Sequence, residues 1–529
     1  VRGTTTSWTG ADYRAAIADL CHGDLEGHAL LIASNRGPVE FRREPDGRFT
    51  FRRGQGGLVT ALSSMAEALD TTWIASPMSG DDLAIARRQS GPLVVPMGDR
   101  ELRLAFVPTP QDQFRRYYDG ISNSLLWFVQ HGLCDASEHP EFDEATWSAW
   151  EDYRAVNLAF AQEIARHARD TGKKPIVMVQ DYHLFLVPLF LRRLLPEALL
   201  HHFTHIPWPG PDAWRQLPVP VREELVRSLL SCDLVGFHTR RYAQHFLQTC
   251  TDLLDLPVES GESGLWYQGR PVQVRAYPIS VDPDELRAFA AGPMVRSHEG
   301  PWLKGGFHIL QVARTDPSKN ILRSLKALDL FLSKHPPYHG KVRFWGILPA
   351  SRQGSERYRA YLDRVRATAE ALNRKYRRWS WHPVELSFDN SYERAIAAMK
   401  HYDVLVVNSL ADGMNLVAKE GPVVNERHGV LLLSETAGAY EELGDGAIAL
   451  NPYDLVGMAD ALHQALTMPI AQRRRRQEIL CRRIEENPIF RWVHAQLVDL
   501  RDLLPDRRTR LWMSPFYRDS RPLRAPGEA

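Results

Sequence analysis

The sequence predicts an α/β protein made of two doubly wound domains, and three observations carry that prediction. Short apolar, β-rich runs alternate with longer stretches of helical period, the pattern of βαβ units around parallel sheets. The runs fall into two series separated by a Pro- and Gly-rich stretch. The chain has 529 residues, too many for one hydrophobic core and enough for two or three domains.

Residues 1–27 are polar and irregular, with a short helix expected around Tyr13–Leu20. The first series of strands is Ala29–Ser34, Thr72–Ser76, Leu102–Val107, Pro175–Val179, Leu200–His205, Leu234–Phe237 and Val272–Ile279. The second is His308–Arg314, Val342–Leu348, Val404–Asn408, Gly429–Ser434 and Ala447–Leu450. Between them, Asp282 to Lys304 carries Pro283, Gly292, Pro293, Gly300, Pro301 and the start of a Gly-rich turn, which marks a domain junction. From about Met468 the chain is helical and arginine-rich, and the run Arg473–Arg476 reads as a solvated helix face. The prolines from Pro505 onward predict a loosely ordered tail.

Composition excludes several function classes. With 65 basic and 64 acidic side chains, the chain lacks the basic excess of a nucleic-acid binder. The five cysteines are scattered without CxxC spacing, which argues against a disulfide framework or a zinc site and fits a reducing compartment. No signal pattern and no apolar run of membrane-spanning length is present, so a cytoplasmic location without membrane association is expected. HExxH and GxSxG are absent, Asp282-Pro283-Asp284 reads as a turn, and no metal ligand is assigned. Oligomeric state is not legible, and a homo-oligomer stays open.

Open parallel sheets bind ligands at the carboxyl ends of their strands, so the polar residues there are the candidates. After the first strand of the second series comes Arg314-Thr315-Asp316-Pro317-Ser318-Lys319, whose two cations across a turn suit a diphosphate. A surface Arg–Asp pair with a solvated Lys is the equal alternative. After Val404–Asn408 comes Asp412-Gly413-Met414-Asn415-Leu416-Val417-Ala418-Lys419-Glu420, expected to open a helix whose free N–H groups and Asp412 hold a sugar or an anion. On helical spacing Glu420 lies roughly 12 Å further along, before the breaker Gly421-Pro422. Alone, this segment reads rather as a plain N-cap followed by a solvated Glu. Gln180-Asp181-Tyr182-His183 and His205-Ile206-Pro207-Trp208-Pro209 follow neighbouring strands, so a carboxylate and an imidazole are placed to share one pocket. Arg36 follows the first strand, and Gly54-Gln55-Gly56-Gly57-Leu58 is a glycine cluster without a P-loop's Lys-Ser/Thr.

Taken in order, SNRGPV, GGL, YY…SN…LW, QDYHL, HIPWP, YPI, R-x-D-x-x-K, DGMNLVAKE, LSE-x-AGA and NPYD resemble the trehalose-6-phosphate synthase family across roughly Ala29 to Asp454. The resemblance implies a GT-B fold: two Rossmann-like domains facing across a cleft, with a C-terminal helix crossing back. It divides the chain into an extension (1–27), an acceptor domain (28–285), a nucleotide-sugar domain (286–485) and a crossing helix with tail (486–529). It implies a retaining transfer of glucose from UDP- or GDP-glucose to glucose 6-phosphate, with no cofactor and no metal. By the same resemblance, Arg314 and Lys319 stabilise the leaving diphosphate. Glu420 binds the ribose. Asp412 with Gly413, Met414, Asn415 and Leu416 holds the donor sugar, and Gly57 approaches its phosphates. His205 lies by the reacting carbon and Asp181 orients a hydroxyl. Arg36, Tyr118, Trp127 and Arg352 surround the acceptor and its phosphate.

One segment departs from the family. Where members often carry Gly-Trp-Ser-Gly, this chain reads Ala75-Ser76-Pro77-Met78-Ser79-Gly80, with Ser76 at the tryptophan's place. RTDPSKN, HIPWP and PVVNER are also similar to pseudo-glycosyltransferases that join a cyclitol to an aminocyclitol phosphate. A synthase with another phosphorylated acceptor is therefore the second reading, and a silent sugar-phosphate sensor the third. The complete set Arg314, Lys319, Asp412, Glu420, Asp181 and His205 argues against the third.

Overall fold

The first apolar series builds one sheet and the second builds another. The computed structural model describes residues 8–53, 71–88, 91–97, 100–134, 140–256, 264–303, 305–352, 354–378 and 381–504. The strands in chain order are β1 His28–Arg36, β2 Val39–Arg43, β3 Phe49–Arg53, β4 Thr71–Ser76, β5 Leu93–Met97, β6 Arg100–Phe106, β7 Lys174–Gln180, β8 Leu199–Thr204, β9 Leu234–Phe237, β10 Gly264–Tyr267 and β11 Arg270–Ala276. The second series is β12 Phe307–Val312, β13 Val342–Ile347, β14 Val384–Ser387, β15 Val404–Val407, β16 Val430–Ser434 and β17 Ile448–Leu450. The first sheet runs β10-β11-β9-β8-β7-β1-β4-β6-β5, parallel except for its edge strands β10 and β5. The second runs β14-β13-β12-β15-β16-β17 and is parallel throughout.

Both sheets have the Rossmann order, in which the chain reverses its direction of growth beside the first strand. That reversal lies between β1 and β7 in the first sheet and between β12 and β15 in the second. Each reversal leaves a crevice at the carboxyl ends of the two strands, where no crossover helix covers the sheet. The central strands are buried on both faces, which is why they read as unbroken apolar runs; β4 and β8 have no exposed residue at all.

The strands the sequence hid are the edge and hairpin strands β2, β3, β5, β10 and β14. They are short, and none is an unbroken buried apolar run: β2, β3 and β14 carry charged residues, and β5 and β10 expose Val94 and Trp266. Asp282-Pro283-Asp284 is not a plain turn. The Asp282 side chain caps helix Pro283–Ala290 by accepting from the N–H groups of Asp284 and Glu285. Arg473–Arg476 is not wholly solvated either. Arg473 reaches Asp403 and the carbonyl of His428, and Arg476 donates to the carbonyls of Gly446 and Ala447.

Helix Ile470–Glu486 stops where Asn487 precedes Pro488, a position that disfavours helical backbone. The chain then turns into helix Ile489–Asp502, which packs on the first sheet's side of the molecule. Trp492 meets Phe203 edge-on at 5.1 Å, Tyr277 bonds Asp499, and Phe490 lies under Arg14 of helix Gly10–His22. This is the crossing helix that the sequence resemblance implies. Among the described residues no helix is long and apolar enough to cross a membrane.

Candidate active site

The two crevices face each other, and loops from both sheets meet between them. The second sheet contributes the loops after β12 and β15. Lys319 Nζ stands 2.5 Å from Asp412 Oδ2, and both side chains are nearly buried. Asp412 Oδ2 also accepts from Ser409 Oγ and Asn415 Nδ2, each at 2.9 Å. Burial alone would raise this carboxyl, but the charge of Lys319 and the three hydrogen bonds outweigh it and hold Asp412 below the usual carboxylate range. A permanently ionised carboxylate beside an ammonium presents acceptor and donor together, as recognition of sugar hydroxyls requires.

Asp412 is not an N-cap. The segment Asp412–Leu416 is a loop, and helix Val417–Val424 begins after it. The rise per residue of a helix therefore does not set the spacing of Asp412 and Glu420. Nor does Gly421-Pro422 break this helix, because Pro422 lies inside it. The loop is fixed from the other side: Tyr242 donates to the carbonyl of Asp412 at 2.7 Å, and Gly438 N–H donates to the same carbonyl at 3.0 Å. A Cβ on Gly413 would stand 1.9 Å from the carbonyl oxygen of His205. The loops after β15 and β8 thus touch backbone to backbone, which only glycine permits. Gly413→Ala is expected to push them apart and destabilise the fold by about 1–3 kcal/mol or more, the usual cost of forcing extra volume into a packed contact; thermal unfolding of the variant measures it.

From the first sheet, Asp181 follows β7 with φ 71° and ψ 170°, backbone almost confined to glycine. Its carboxylate accepts from the His205 N–H at 3.0 Å, which fixes the loop after β8 against the loop after β7. Burial pushes the Asp181 carboxyl up to about 6. His205 lies 2.9 Å from Gln180 Oε1 through Nε2 and packs against Phe203, His238 and Trp492. Burial holds its imidazole well below the usual range, so it is neutral at neutral pH and offers a hydrogen bond without a charge.

Arg352 joins the halves. Its guanidinium donates to Asp316 Oδ2 and Tyr182 Oη at 3.1 Å each, bonds Tyr358, and lies 3.8 Å over the Trp127 ring. Arg314 is exposed and shares the Trp127 ring at 5.9 Å. Tyr118 stacks on His183 at 5.6 Å, within a π-helical stretch, Arg116–Leu126. Such stretches are rare and cluster at functional sites. Burial, with the charges of Arg352 and Arg36 adding to it, lowers the His183 imidazole to about 3. Arg36 is delivered by a bulge: the β1–β4 register slips between Ser34 and Arg36, and Arg36 pairs with Ser76. Ser76 is buried and donates to Asn35 Oδ1, which also accepts from Tyr117.

The structure therefore gathers Arg36, Tyr118, Trp127, Asp181, His205, Arg314, Lys319, Arg352 and the Asp412–Leu416 loop around one cleft. Glu420 stands further along, bonded to Tyr392 at 3.2 Å. Gly57 and its glycine loop lie outside the described residues. Sequence reasoning assigned no role to Tyr182, Asp316 or Tyr358, which hold Arg352. Tyr182 and Asp316 sit within sequence motifs, but Arg352 lies 170 and 36 residues from them, and Tyr358 lies in helix Glu356–Tyr376, which carries no motif. Strain marks the site too: Asp181, Asn320, Arg352 and Asn415 all have positive φ. Among the described residues no cluster of three His, Cys, Asp or Glu side chains converges as a metal site would.

Burial pushes Glu420 up to about 7. Its folded-state value exceeds the unfolded one, so the folded protein binds the proton more tightly, and stability falls as pH rises from about 4.5 to 7. Glu420→Gln is expected to melt above wild type at pH 8 and alongside it at pH 5, as thermal unfolding at the two pH values would show.

Two Rossmann-ordered domains with cation-bearing crevices turned toward each other, and a final helix returning to the first, define a glycosyltransferase of the GT-B class. The chain belongs to glycosyltransferase family 20, whose profile matches residues 28–502. It is 35% identical over 496 residues to alpha,alpha-trehalose-phosphate synthase [UDP-forming] 2 of Aspergillus fumigatus, covering 90% of this chain and 98% of that protein. It is 33% identical to the UDP-forming synthase of Schizosaccharomyces pombe, covering 92% and 91%. Among solved structures, the E. coli trehalose-6-phosphate protein bound with UDP-2-fluoro glucose superposes with a TM-score of 0.78 at 28% identity, over 90% of this chain and 99% of that one. A UDP-forming synthase from Burkholderia xenovorans in complex with glucose-6-phosphate gives 0.75 at 28% identity, over 89% and 99%.

Proposed function

We propose that this chain transfers the glucosyl unit of UDP-glucose to glucose 6-phosphate and releases α,α-trehalose 6-phosphate and UDP. The observation that carries the reading is similarity along nearly the whole chain to synthases named as UDP-forming. The cleft supports it by having two differently equipped sides. On the second sheet, Asp412 and the backbone of residues 413–416 take the sugar, Glu420 takes the ribose, and Arg314 with Lys319 takes the diphosphate. On the first, Arg36 and Tyr118, with Arg352 from across the cleft, take the acceptor phosphate, and Trp127 supports Arg352 from below.

In this reading the bond between the anomeric carbon and the diphosphate oxygen breaks as the acceptor hydroxyl forms a bond on the same face. The hydroxyl proton passes to the departing phosphate oxygen. Negative charge grows on that oxygen, and the fixed cations Arg314 and Lys319 stabilise it without reorganising. In the same reading His205, kept neutral with its Nε2–H donated to Gln180 Oε1, serves the reacting carbon's surroundings through Nδ1 as a hydrogen-bond acceptor. Positive charge on the leaving group comes from side chains, so the reading requires no metal or cofactor. A cytoplasmic location belongs to the same reading, because its substrates are cytoplasmic sugar phosphates.

The test is nucleotide release from UDP-glucose and GDP-glucose, each with and without glucose 6-phosphate, with the product identified by mass and NMR. Release from UDP-glucose that depends on glucose 6-phosphate and yields a phosphorylated 1,1-linked disaccharide is the expected result. Release only with another phosphorylated acceptor would replace it with the second reading, which the small Ser76 beside Arg36 favours.

A further inference from the structure

At the seam where the second domain meets Leu133 of the first, a cavity of about 460 Å³ opens between helices Ile321–Lys334 and Glu356–Tyr376. Its size is that of a small-molecule site. Arg323 and Lys326 line it from one helix and Arg357 and Arg364 from the other, with no carboxylate among its lining residues. Arg357 and Arg364 are seven residues apart on helix Glu356–Tyr376, so they share the face that also carries Tyr361. Other basic residues of this helix have acidic partners on it: Arg366 pairs with Asp363 and Arg374 with Glu370. Among the described residues, Lys326, Arg357 and Arg364 form no ion pair. Four like charges gathered around one cavity repel each other, and an anion in their midst removes that cost.

The cavity shares walls with the active site. Pro317 and Asn320 belong to the loop that carries Lys319, and Leu410 lies two residues before Asp412. The two loops are bonded together there, Leu410 N–H to the carbonyl of Ser318 at 2.7 Å. Arg323 donates to Asn320 Oδ1 at 2.9 Å, so one of the four cations already holds the back of the donor loop.

We infer that this cavity is a regulatory site for a small compound bearing two phosphate groups, which sets the Lys319 and Asp412 loops and so the affinity for the nucleotide sugar. Recognition is by charge: the lining offers four cations, whereas Tyr361, its one aromatic ring, is buried with its hydroxyl committed to the Ile321 N–H. A base has no stacking surface, and a compact diphosphate or sugar bisphosphate fits. The donor part of this inference rests on the proposed reaction, but the binding part does not.

The experiment is calorimetric titration of the full chain with inorganic pyrophosphate while UDP saturates the cleft. One pyrophosphate per chain is expected. Lys326→Gln with Arg364→Gln, both exposed, is expected to weaken it about tenfold or more, from the loss of two charge-assisted contacts. Arg314→Ala is expected to leave it unchanged. Pyrophosphate should also shift the KM for nucleotide sugar in the wild type and not in the double variant. No binding in the presence of UDP, or binding lost in Arg314→Ala and kept in the double variant, would overturn the site. Binding with the KM unmoved would overturn the regulation.

Discussion

Arg314→Ala is expected to lower kcat by about 10²- to 10³-fold, the usual loss when one preorganised charge is removed from a developing anion. Its fold should be untouched. The Arg314 side chain is exposed, carries no ion pair among the described residues, and touches the protein through the Trp127 ring at 5.9 Å. Substitutions at such positions change stability by about 0.5 kcal/mol or less. Lys319 differs, because it is committed to Asp412, and its removal leaves a buried carboxylate without a counter-charge. The charge of Arg314 also favours ionised Asp316, but Arg352 does so more strongly at 3.1 Å, so Arg314→Ala reports mainly the electrostatic effect on the leaving group. Steady-state kinetics beside thermal unfolding of the same preparation tests this. Turnover like wild type would remove the account of leaving-group stabilisation. Arg314→Lys should recover only part of the loss, because an ammonium lacks the planar fork that grips two phosphate oxygens.

Legibility followed burial. The central strands β1, β4, β7, β8, β12, β15 and β16 were readable because a strand covered on both faces needs a continuous apolar run. The Rossmann-like order came from the family resemblance rather than from the strand pattern, and its consequence was readable directly: Arg314, Asp412 and Asp181 each follow, and Arg36 ends, a strand that borders a reversal point. What escaped was set by contacts distant in sequence. Asp316 sits inside a recognised motif, yet its partner Arg352 lies 36 residues on, and Tyr182 reaches Arg352 across 170. The loop before Val417 escaped for a different reason. Asp412 followed by Gly and Asn looks like a helix start, but in the fold its carboxylate is taken by Lys319, Ser409 and Asn415 and caps nothing. Local pattern cannot tell an N-cap from a ligand carboxylate when both need a free N-terminal turn nearby.

Arg352→Gln should fail twice over, and the two failures can be separated. Asp316 is fully buried and Arg352 nearly so, at 0% and 9% side-chain exposure, with 3.1 Å between them. Burial alone would raise the Asp316 carboxyl, and the charges of Arg352 and Arg314 hold it below its usual range instead. Removing Arg352 leaves that charge stranded, which typically costs about 3–5 kcal/mol. The variant should therefore unfold at markedly lower temperature, and weak activity alone would say nothing about substrate binding. Asp316→Asn added to it removes the stranded charge while keeping an oxygen to accept from the Ser318 N–H, so most of the stability should return. If Arg352 also grips the acceptor phosphate, the KM for glucose 6-phosphate in that double variant stays raised by about 10- to 100-fold, the worth of a hydrogen bond to a charged group. A double variant that is stable and has the wild-type KM would reduce Arg352 to a structural tie between the halves of the cleft. The KM for UDP-glucose serves as the control: the nucleotide is assigned to Arg314, Lys319 and Glu420, so that constant should move little while the acceptor's moves far.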